Sequence, residues 1–283
     1  MTGNGLRELL KRADDEGFAV PSFNYSDIWD FIAITEAAEE ENAPVMIASN
    51  PLVVNAISIE MCGAMGRVAM EKSKTPLIHH LDHSYEVGLC VQAVDAGFPS
   101  VMIDASNHPL KENARITGEV VAYAGARGVH VEGEIGKIMG RGAEGDYTGG
   151  GFLAETDDAV YLVEATGLDS LAVGIGTAHG FYKGKPEINF SRLAEINEAV
   201  DTPLVLHGGT GIPEEDVKRA IKLGINKVNV GTIIHCTYMN GMRRELASRP
   251  ENSYTLDVVK PVLEEIKHVV RGWIKVCMAN GKA

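Results

Sequence analysis

The sequence predicts an α/β protein with a (β/α)8-barrel fold that carries extra C-terminal helices. Eight short segments are each an almost unbroken run of apolar residues, as expected of parallel strands that are covered on both faces. Segments with helical spacing separate them, as expected of successive βαβ units. The chain has 283 residues, and barrels of this class often reach ~250 residues as one unit. We therefore expect a single domain over residues 1–283.

Each predicted element follows from its own apolar pattern. The predicted strands share an apolar run and cover residues 18–23, 44–49, 76–83, 100–106, 129–136, 170–176, 203–208 and 227–231. The predicted helices have apolar residues three or four positions apart and cover residues 27–41, 57–72, 85–96, 109–126, 157–166, 190–200 and 213–223. Eight such units favour a closed barrel over an open, doubly wound sheet. Residues 256–278 predict one or two further helices.

Composition limits the classes of partner. The chain is 45% hydrophobic and 23% charged, and it contains no run of 18 apolar residues, so we expect no membrane span. A formal net charge of −13 argues against nucleic acid and anionic membranes as partners. The N-terminus lacks the apolar segment of a signal peptide, which predicts a cytoplasmic protein. In that compartment, Cys62, Cys90, Cys236 and Cys277 are expected to be buried, reduced thiols.

Three histidines lie where predicted strands end. His83 ends the third strand, His179 follows the sixth and His207 ends the seventh. Barrel closure brings strand ends together, and three neutral imidazoles with an open fourth position are typical of a catalytic zinc site. The alternative is that each histidine is a hydrogen-bonded core or cap residue. Three equivalent positions on different strands favour the metal site.

Acidic residues accompany these histidines at the strand ends. Asp82 precedes a predicted ligand, where it could transfer a proton or orient a histidine. Asp104 and Glu134 could form a second cation site or pair with the histidines.

Small residues dominate the turns after the last three strands. They are Gly180, Gly208, Gly209 and Thr210, followed by Asn229, Val230, Gly231 and Thr232 at the eighth strand. Glycine lets backbone N–H groups approach a ligand closely, and helix N-termini favour anions. The loops after strands seven and eight often bind phosphate in this fold, so the pattern predicts a phosphate site beside the metal.

Six motifs together resemble one family over nearly the whole chain. They are HLDH (80–83), SVMIDAS (100–106), VEGEIG (131–136), GTAHGFY (176–182), LVLHGGTGIP (204–213) and KVNVGT (227–232). The chain resembles the class II, zinc-dependent ketose-bisphosphate aldolases, most closely their tagatose-bisphosphate and short fructose-bisphosphate branch. The resemblance implies reversible cleavage of a ketose 1,6-bisphosphate, or of a related ketose 1-phosphate, to dihydroxyacetone phosphate and an aldehyde. It also implies a homodimer or homotetramer, and it leaves open whether Na⁺ or K⁺ assists.

The resemblance also implies a role for each matched position. His83, His179 and His207 would bind Zn²⁺, and Asp82 would be the acid/base group. Asp104 and Glu134 match a second metal position. The residues that would hold dihydroxyacetone phosphate are Gly180, Gly208, Gly209, Thr210, Asn229, Val230, Gly231 and Thr232. Asn24 and Ser49 match positions near the aldehyde end, and Glu144 is the candidate for the loop carboxylate that exchanges a proton with the substrate.

Two stretches depart from the family pattern. The loop after the fifth strand reads EIGKIMGRGAEGDYTGG, whereas the family usually has ELGxxGGxED. Residues 253–261 lack the arginine that often holds the far phosphate, and Arg249 and Arg271 flank this stretch. The substrate therefore either lacks a second phosphate or uses another basic residue. Two alternative functions stay open at this point: a barrel metallohydrolase and a catalytically impaired accessory barrel.

Overall fold

A computed structural model describes residues 1–138, 153–182 and 184–283 of the chain. Its eight parallel strands form a closed barrel in sequence order, and β1 pairs with β8 to close it. The strands are β1 Val20–Asn24, β2 Val45–Ser49, β3 Leu77–Ser84, β4 Ser100–Ile103, β5 His130–Ile135, β6 Ser170–Val173, β7 Leu204–Leu206 and β8 Ile225–Val230. The predicted (β/α)8 barrel is confirmed.

Helices surround the strands and extend past the last one. They are α1 Gly3–Glu16, α2 Ile28–Glu40, α3 Pro51–Ile57, α4 Ile59–Lys72, α5 Val87–Asp95, α6 Leu110–Gly125, α7 Thr156–Thr166, α8 Phe190–Ala199, α9 Glu214–Lys222, α10 Thr232–Ser248 and α11 Thr255–Val276. The C-terminal segment is one long helix that continues through Pro261 and buries an apolar face. It packs chiefly on α10 and α2. In the described part of the chain, no single helix is long and apolar enough to cross a membrane, although the bent pair α3–α4 passes by length and composition.

The structure corrects some predicted boundaries. The predicted helix over residues 57–72 is two helices that break at Ser58, which has φ 93° and whose side chain accepts a hydrogen bond from Met61 N. The sixth and seventh strands end earlier than predicted, so their last residues belong to the loops that carry the site. Cys62, Cys90 and Cys277 are buried free thiols as predicted, whereas Cys236 is only half-buried.

Buried polar residues are unusually frequent on the strands. They include Ser22, His79, His80, Ser100, His130, Glu132, Ser170 and Lys227. Neighbouring strands pair some of them, as in the 2.8 Å contact between His80 Nδ1 and Ser100 Oγ and the 2.9 Å contact between His130 Nε2 and Ser170 Oγ. A barrel interior is more often filled by branched apolar side chains.

Two of these buried histidines predict acid sensitivity. Burial lowers the pKa of His79 to about 3 and that of His130 to about 4. Below about pH 6.5 the unfolded chain binds protons at these positions while the folded chain does not, so the free energy of unfolding falls with decreasing pH. The loss is ~1.4 kcal/mol per pH unit for each histidine.

Urea unfolding between pH 8 and pH 5 measures this slope. The slope is the change in the free energy of unfolding per pH unit. Between pH 6 and 5 the variant His79→Gln should lower it by ~1.4 kcal/mol per pH unit, which corresponds to one proton. A slope that does not change in this variant would contradict the assignment of His79 as a neutral buried group.

Candidate active site

The three predicted histidines converge at the C-terminal ends of the strands. The ring centroids of His83 and His179 lie 4.7 Å apart, those of His83 and His207 4.6 Å, and those of His179 and His207 5.8 Å. One ligand nitrogen from each ring lies within 4.8 Å of the others. Three imidazoles at this spacing are a donor set suited to a zinc ion.

Backbone geometry explains how adjacent residues reach the same site. In a regular strand, Asp82 and His83 would point to opposite faces. The register between β3 and β4 shifts between Leu81 and Ser84, and His83 has φ 48°, in the left-handed region. This irregularity turns both side chains toward the strand ends, as β-bulges near active sites commonly do.

The environment of the histidines favours metal binding. Burial lowers the pKa of His179 to about 4, so its ring is neutral at neutral pH and keeps a lone pair for a metal. Burial also lowers the pKa of His207 well below its usual range. At His83 burial acts in the same direction, but the charge of Asp82 and the hydrogen bond to Asp104 outweigh it and raise the pKa to about 10. The site therefore attracts positive charge at His83, and a metal ion can replace the proton there.

A second group of donors adjoins the first. His83, Asp104 and Glu134 place ligand atoms within 4.8 Å of one another. His83 Nδ1 lies 3.2 Å from Asp104 Oδ2, and Glu134 Oε2 is buried without a hydrogen-bond partner. Burial and the nearby charge of Asp104 raise the pKa of Glu134 well above its usual range. An orphaned buried carboxylate oxygen beside another carboxylate fits a bound cation.

Two amides hold the carboxylate of Asp82. Asn24 Nδ2 donates to Asp82 Oδ2 at 2.8 Å, and Asn229 Nδ2 donates to Asp82 Oδ1 at 3.0 Å. Burial raises the pKa of Asp82, but the charges of His83 and Lys227 and the hydrogen bond from Asn24 more than offset it. Because the resulting pKa is below the usual value, Asp82 is an oriented carboxylate that can accept a proton.

A small pocket lies directly beside the histidines. Its lining brings together most of the predicted site residues: Asn24, Asp82, His179, Gly180, Gly208, Thr210, Asn229, Gly231 and Thr232. The N-cap of α10, Gly231, makes no side-chain hydrogen bond, although Ile233 N donates to Thr210 Oγ1 at 3.3 Å. Gly231 and Thr232 line the pocket, where the positive end of the helix favours an anion. The pocket therefore combines a proton acceptor with a glycine-lined helix start.

Tyr182 links the two glycine-rich loops of this pocket. Its hydroxyl accepts a hydrogen bond from Ala178 N at 2.9 Å and donates one to Gly208 O at 3.1 Å. Gly208 has φ 69°, and a Cβ atom there would lie 2.2 Å from Ala178 O. Only glycine fits this position, because a side chain would separate the two loops.

Gly208→Ala is therefore expected to damage both fold and phosphate binding. We expect a loss of ~2–4 kcal/mol in the free energy of unfolding, since the clash adds to the cost of the left-handed backbone. Displacing even one N–H donor should weaken binding of inorganic phosphate about tenfold. Urea unfolding and isothermal titration calorimetry measure the two effects.

Gly17→Ala is the matched control for this substitution. Gly17 has the same φ of 69°, but it lies at the end of α1 with nothing within 4 Å of an added Cβ. It should lose only about 1 kcal/mol and bind phosphate normally. Equal phosphate affinity in the two variants would show that Gly208 does not shape the pocket.

Some predicted residues lie elsewhere. Ser49 is fully buried, and its hydroxyl contacts Tyr25 Oη at 2.8 Å and His79 Nε2 at 2.9 Å, so it does not line the pocket. Gly209 and Val230 do not line the pocket. Gly209 lies beside Val230 and beside the lining residue Asn229. Glu144 lies outside the described residues.

The flanking arginines do not reach the pocket either. Arg249 pairs with Glu245 on α10, and Arg271 pairs with Glu40 on α2. The described lining of the pocket contains no lysine or arginine. A larger open groove of about 640 Å³ lies between α10 and α11, but it contains none of the predicted site residues.

Comparison with known proteins defines the class. A family model described as class-II fructose-bisphosphate aldolase matches residues 4–282. The chain belongs to this family and is a class II aldolase, a carbon–carbon lyase. The predicted family is confirmed, and the match favours the aldolase over the metallohydrolase.

Individual relatives resemble the chain over almost its full length. A fructose-bisphosphate aldolase of Geobacillus stearothermophilus is 41% identical over 286 residues, covering 98% of each chain. A 6-phospho-5-dehydro-2-deoxy-D-gluconate aldolase of Bacillus licheniformis is 37% identical over 273 residues, covering 94% of this chain and 93% of the relative. The crystal structure of the YdjI aldolase from Escherichia coli K12 superposes with a TM-score of 0.87 at 32% identity, covering 98% of each chain.

Proposed function

We propose that this protein is a zinc-dependent aldolase that reversibly cleaves a phosphorylated ketose to dihydroxyacetone phosphate and an aldehyde. One observation carries the proposal: the pocket that contains an oriented carboxylate and a glycine-lined helix start is also lined by His179, one of three convergent histidines. A metallohydrolase would need the histidines but would have no use for the phosphate cradle.

The donor set assigns the metal. We propose that His83, His179 and His207 hold Zn²⁺, since three imidazoles suit this ion. Zinc, when bound, supplies a Lewis acid that stabilises the negative charge left on the ketose fragment when the carbon–carbon bond breaks. Asp104 and Glu134, with His83, are proposed as the second metal position.

The chain's own residues bind the substrate and move its proton. Gly180, Gly208, Thr210 and the start of α10 hold the phosphate of the dihydroxyacetone half. Asp82 takes the proton from the substrate hydroxyl that becomes the aldehyde oxygen, and Asn24 and Asn229 keep its carboxylate aimed at that hydroxyl. Glu144 remains the candidate that returns a proton to the carbon of the released fragment.

The far end of the substrate is the less constrained part of the proposal. No lysine or arginine belongs to the described pocket lining, and Arg249 and Arg271 are engaged on the helices. We therefore favour a substrate whose one required phosphate is in the dihydroxyacetone half. The relative that acts on 6-phospho-5-dehydro-2-deoxy-D-gluconate, by its name a monophosphate, supports this preference.

Three broader parts complete the proposal. The chain works as one barrel domain, which the pairing of β1 with β8 supports. It assembles as a homodimer or homotetramer in the cytoplasm. Assays with and without Na⁺ and K⁺ test whether a monovalent cation assists catalysis.

A coupled assay for dihydroxyacetone phosphate tests the function. Fructose 1,6-bisphosphate, tagatose 1,6-bisphosphate, ketose 1-phosphates and 6-phospho-5-dehydro-2-deoxy-D-gluconate are compared, each with and without a chelator. We expect chelator-sensitive cleavage, with a monophosphate cleaved at least as efficiently as either bisphosphate. Preference for a bisphosphate would refute the single-phosphate part. No cleavage of any substrate by the zinc-loaded protein would favour the accessory barrel.

A further inference from the structure

A buried ion pair crosses the barrel interior below the three histidines. Glu132 on β5 and Lys227 on β8 are 0% and 1% exposed, and Lys227 Nζ lies 2.7 Å from Glu132 Oε2. These strands are not neighbours in the barrel, so the contact runs through its centre. Desolvation makes such a pair costly, and apolar replacements are often neutral or stabilising. Stability alone therefore does not explain why the pair is present.

The second oxygen of Glu132 reaches a proposed metal ligand. Glu132 Oε1 lies 2.9 Å from His207 Nε2, and both side chains are fully buried. An ionised carboxylate only accepts hydrogen bonds, so Nε2 must carry the proton. In a neutral imidazole, Nδ1 is then left with its lone pair.

The other nitrogen of His207 faces the donor cluster. Its Nδ1 lies 2.8 Å from His83 Nε2, and Asn229 Nδ2 lies 3.4 Å away on the same side. The contact with Glu132 thus selects which nitrogen points toward the metal position, and it fixes the ring from the side opposite the ligand atom. Removal of an acceptor of this kind typically lowers metal affinity 10–100-fold.

We propose that Glu132 is a positioning residue that holds His207 in the tautomer presenting Nδ1 to the metal, while Lys227 holds Glu132 in place. This inference rests on the proposed three-histidine metal site. It gives Lys227 a part in that site although it lies below the pocket, and it explains a charged pair in a barrel interior.

Two double variants separate the hydrogen bond from the ion pair. Glu132→Gln with Lys227→Met removes both charges but keeps a carbonyl oxygen that can accept from His207 Nε2. Glu132→Leu with Lys227→Met removes the same charges and the acceptor, and neither variant leaves a buried charge alone. Zinc affinity is measured by chelator competition, and the Co²⁺ form is examined by visible absorption.

The outcomes are distinct. We expect the Gln/Met variant to bind zinc within about threefold of the native protein, and the Leu/Met variant to bind about 10–100-fold more weakly with an altered cobalt spectrum. Equal affinities and spectra in the two variants would overturn the positioning role while leaving the metal site intact. Native metal binding that survives in His179→Ala would instead overturn the proposed site, and the inference with it.

A measurement on the native protein does not depend on the variants folding. Histidine-selective ¹⁵N labelling of the zinc-loaded protein reports the tautomer of each ring, and the resonance of His207 is assigned by its loss in His207→Gln. We expect a protonated Nε2 and a metal-bound Nδ1. A proton on Nδ1 of His207 would refute the inference directly.

Discussion

Asp82→Asn is expected to lower kcat for aldol cleavage about 10²–10⁴-fold, because it removes the proposed proton acceptor. Asparagine has nearly the same shape, and the amides of Asn24 and Asn229 can turn to match it. The proposed metal ligands are untouched, so zinc content should not change. Steady-state kinetics with zinc analysis of the same preparation measures both quantities.

Asp169→Asn is the matched control at the opposite end of the barrel. Asp169 precedes β6, pairs with Arg7 and accepts a hydrogen bond from Val131 N at 2.8 Å. The same change of charge there should lower the free energy of unfolding and leave kcat unaltered. If kcat falls equally in both variants, the loss at Asp82 reflects the fold and not proton transfer.

His179→Ala is expected to release zinc and to reduce kcat/KM at least about 10³-fold. A bound zinc contributes several kcal/mol of charge stabilisation, and about 4 kcal/mol corresponds to about 10³ in rate. Glu132 contacts the ring of His207, at 2.9 Å, and that ring is kept in this variant, so the barrel interior should remain intact. Metal analysis and the coupled assay measure the two effects.

His235→Ala provides the reference for this substitution. His235 is exposed on α10 and belongs to neither donor group. It should retain zinc and full activity. Zinc that stays bound in His179→Ala with normal activity would mean that the three histidines are not the metal site.

The sequence predicted the barrel and most of the pocket because both repeat with each βα unit. A barrel strand ends at the same edge as its neighbours, so polar residues at strand ends fall together whatever their separation in sequence. In the structure Asp82, His179, His207 and Asn229 lie close together at this edge. Knowing which residues end each strand was sufficient to predict that these side chains lie near one another.

Side-chain direction was harder to predict at individual positions. Ser49 pairs in register with Leu81, one residue before Asp82, and successive strand residues face opposite sides. Its hydroxyl therefore turns to Tyr25 and His79, away from the pocket. The break at Ser58 was also missed, because a left-handed backbone at a residue other than glycine has no sequence signature.

Contacts across the barrel interior could not be predicted from the sequence. Glu132 lies on β5 and Lys227 lies toward the start of β8. Their contact joins strands that are not neighbours, so no spacing in the chain identifies it. The one available signal was a pair of opposite charges in two otherwise apolar strands, which is rare unless the charges meet.

The amide pair around Asp82 also bears on the order of events during folding. One amide comes from β1, 58 residues before Asp82, and the other from β8, 147 residues after it. Contacts so distant in sequence form late and slowly. The carboxylate is thus fully oriented only once the first and last strands have met, and partly assembled chains with several βα units in place would be inactive. After dilution from denaturant, recovery of activity should then lag behind recovery of the helical circular-dichroism signal. Catalytic activity thus reports when the first and last strands have joined.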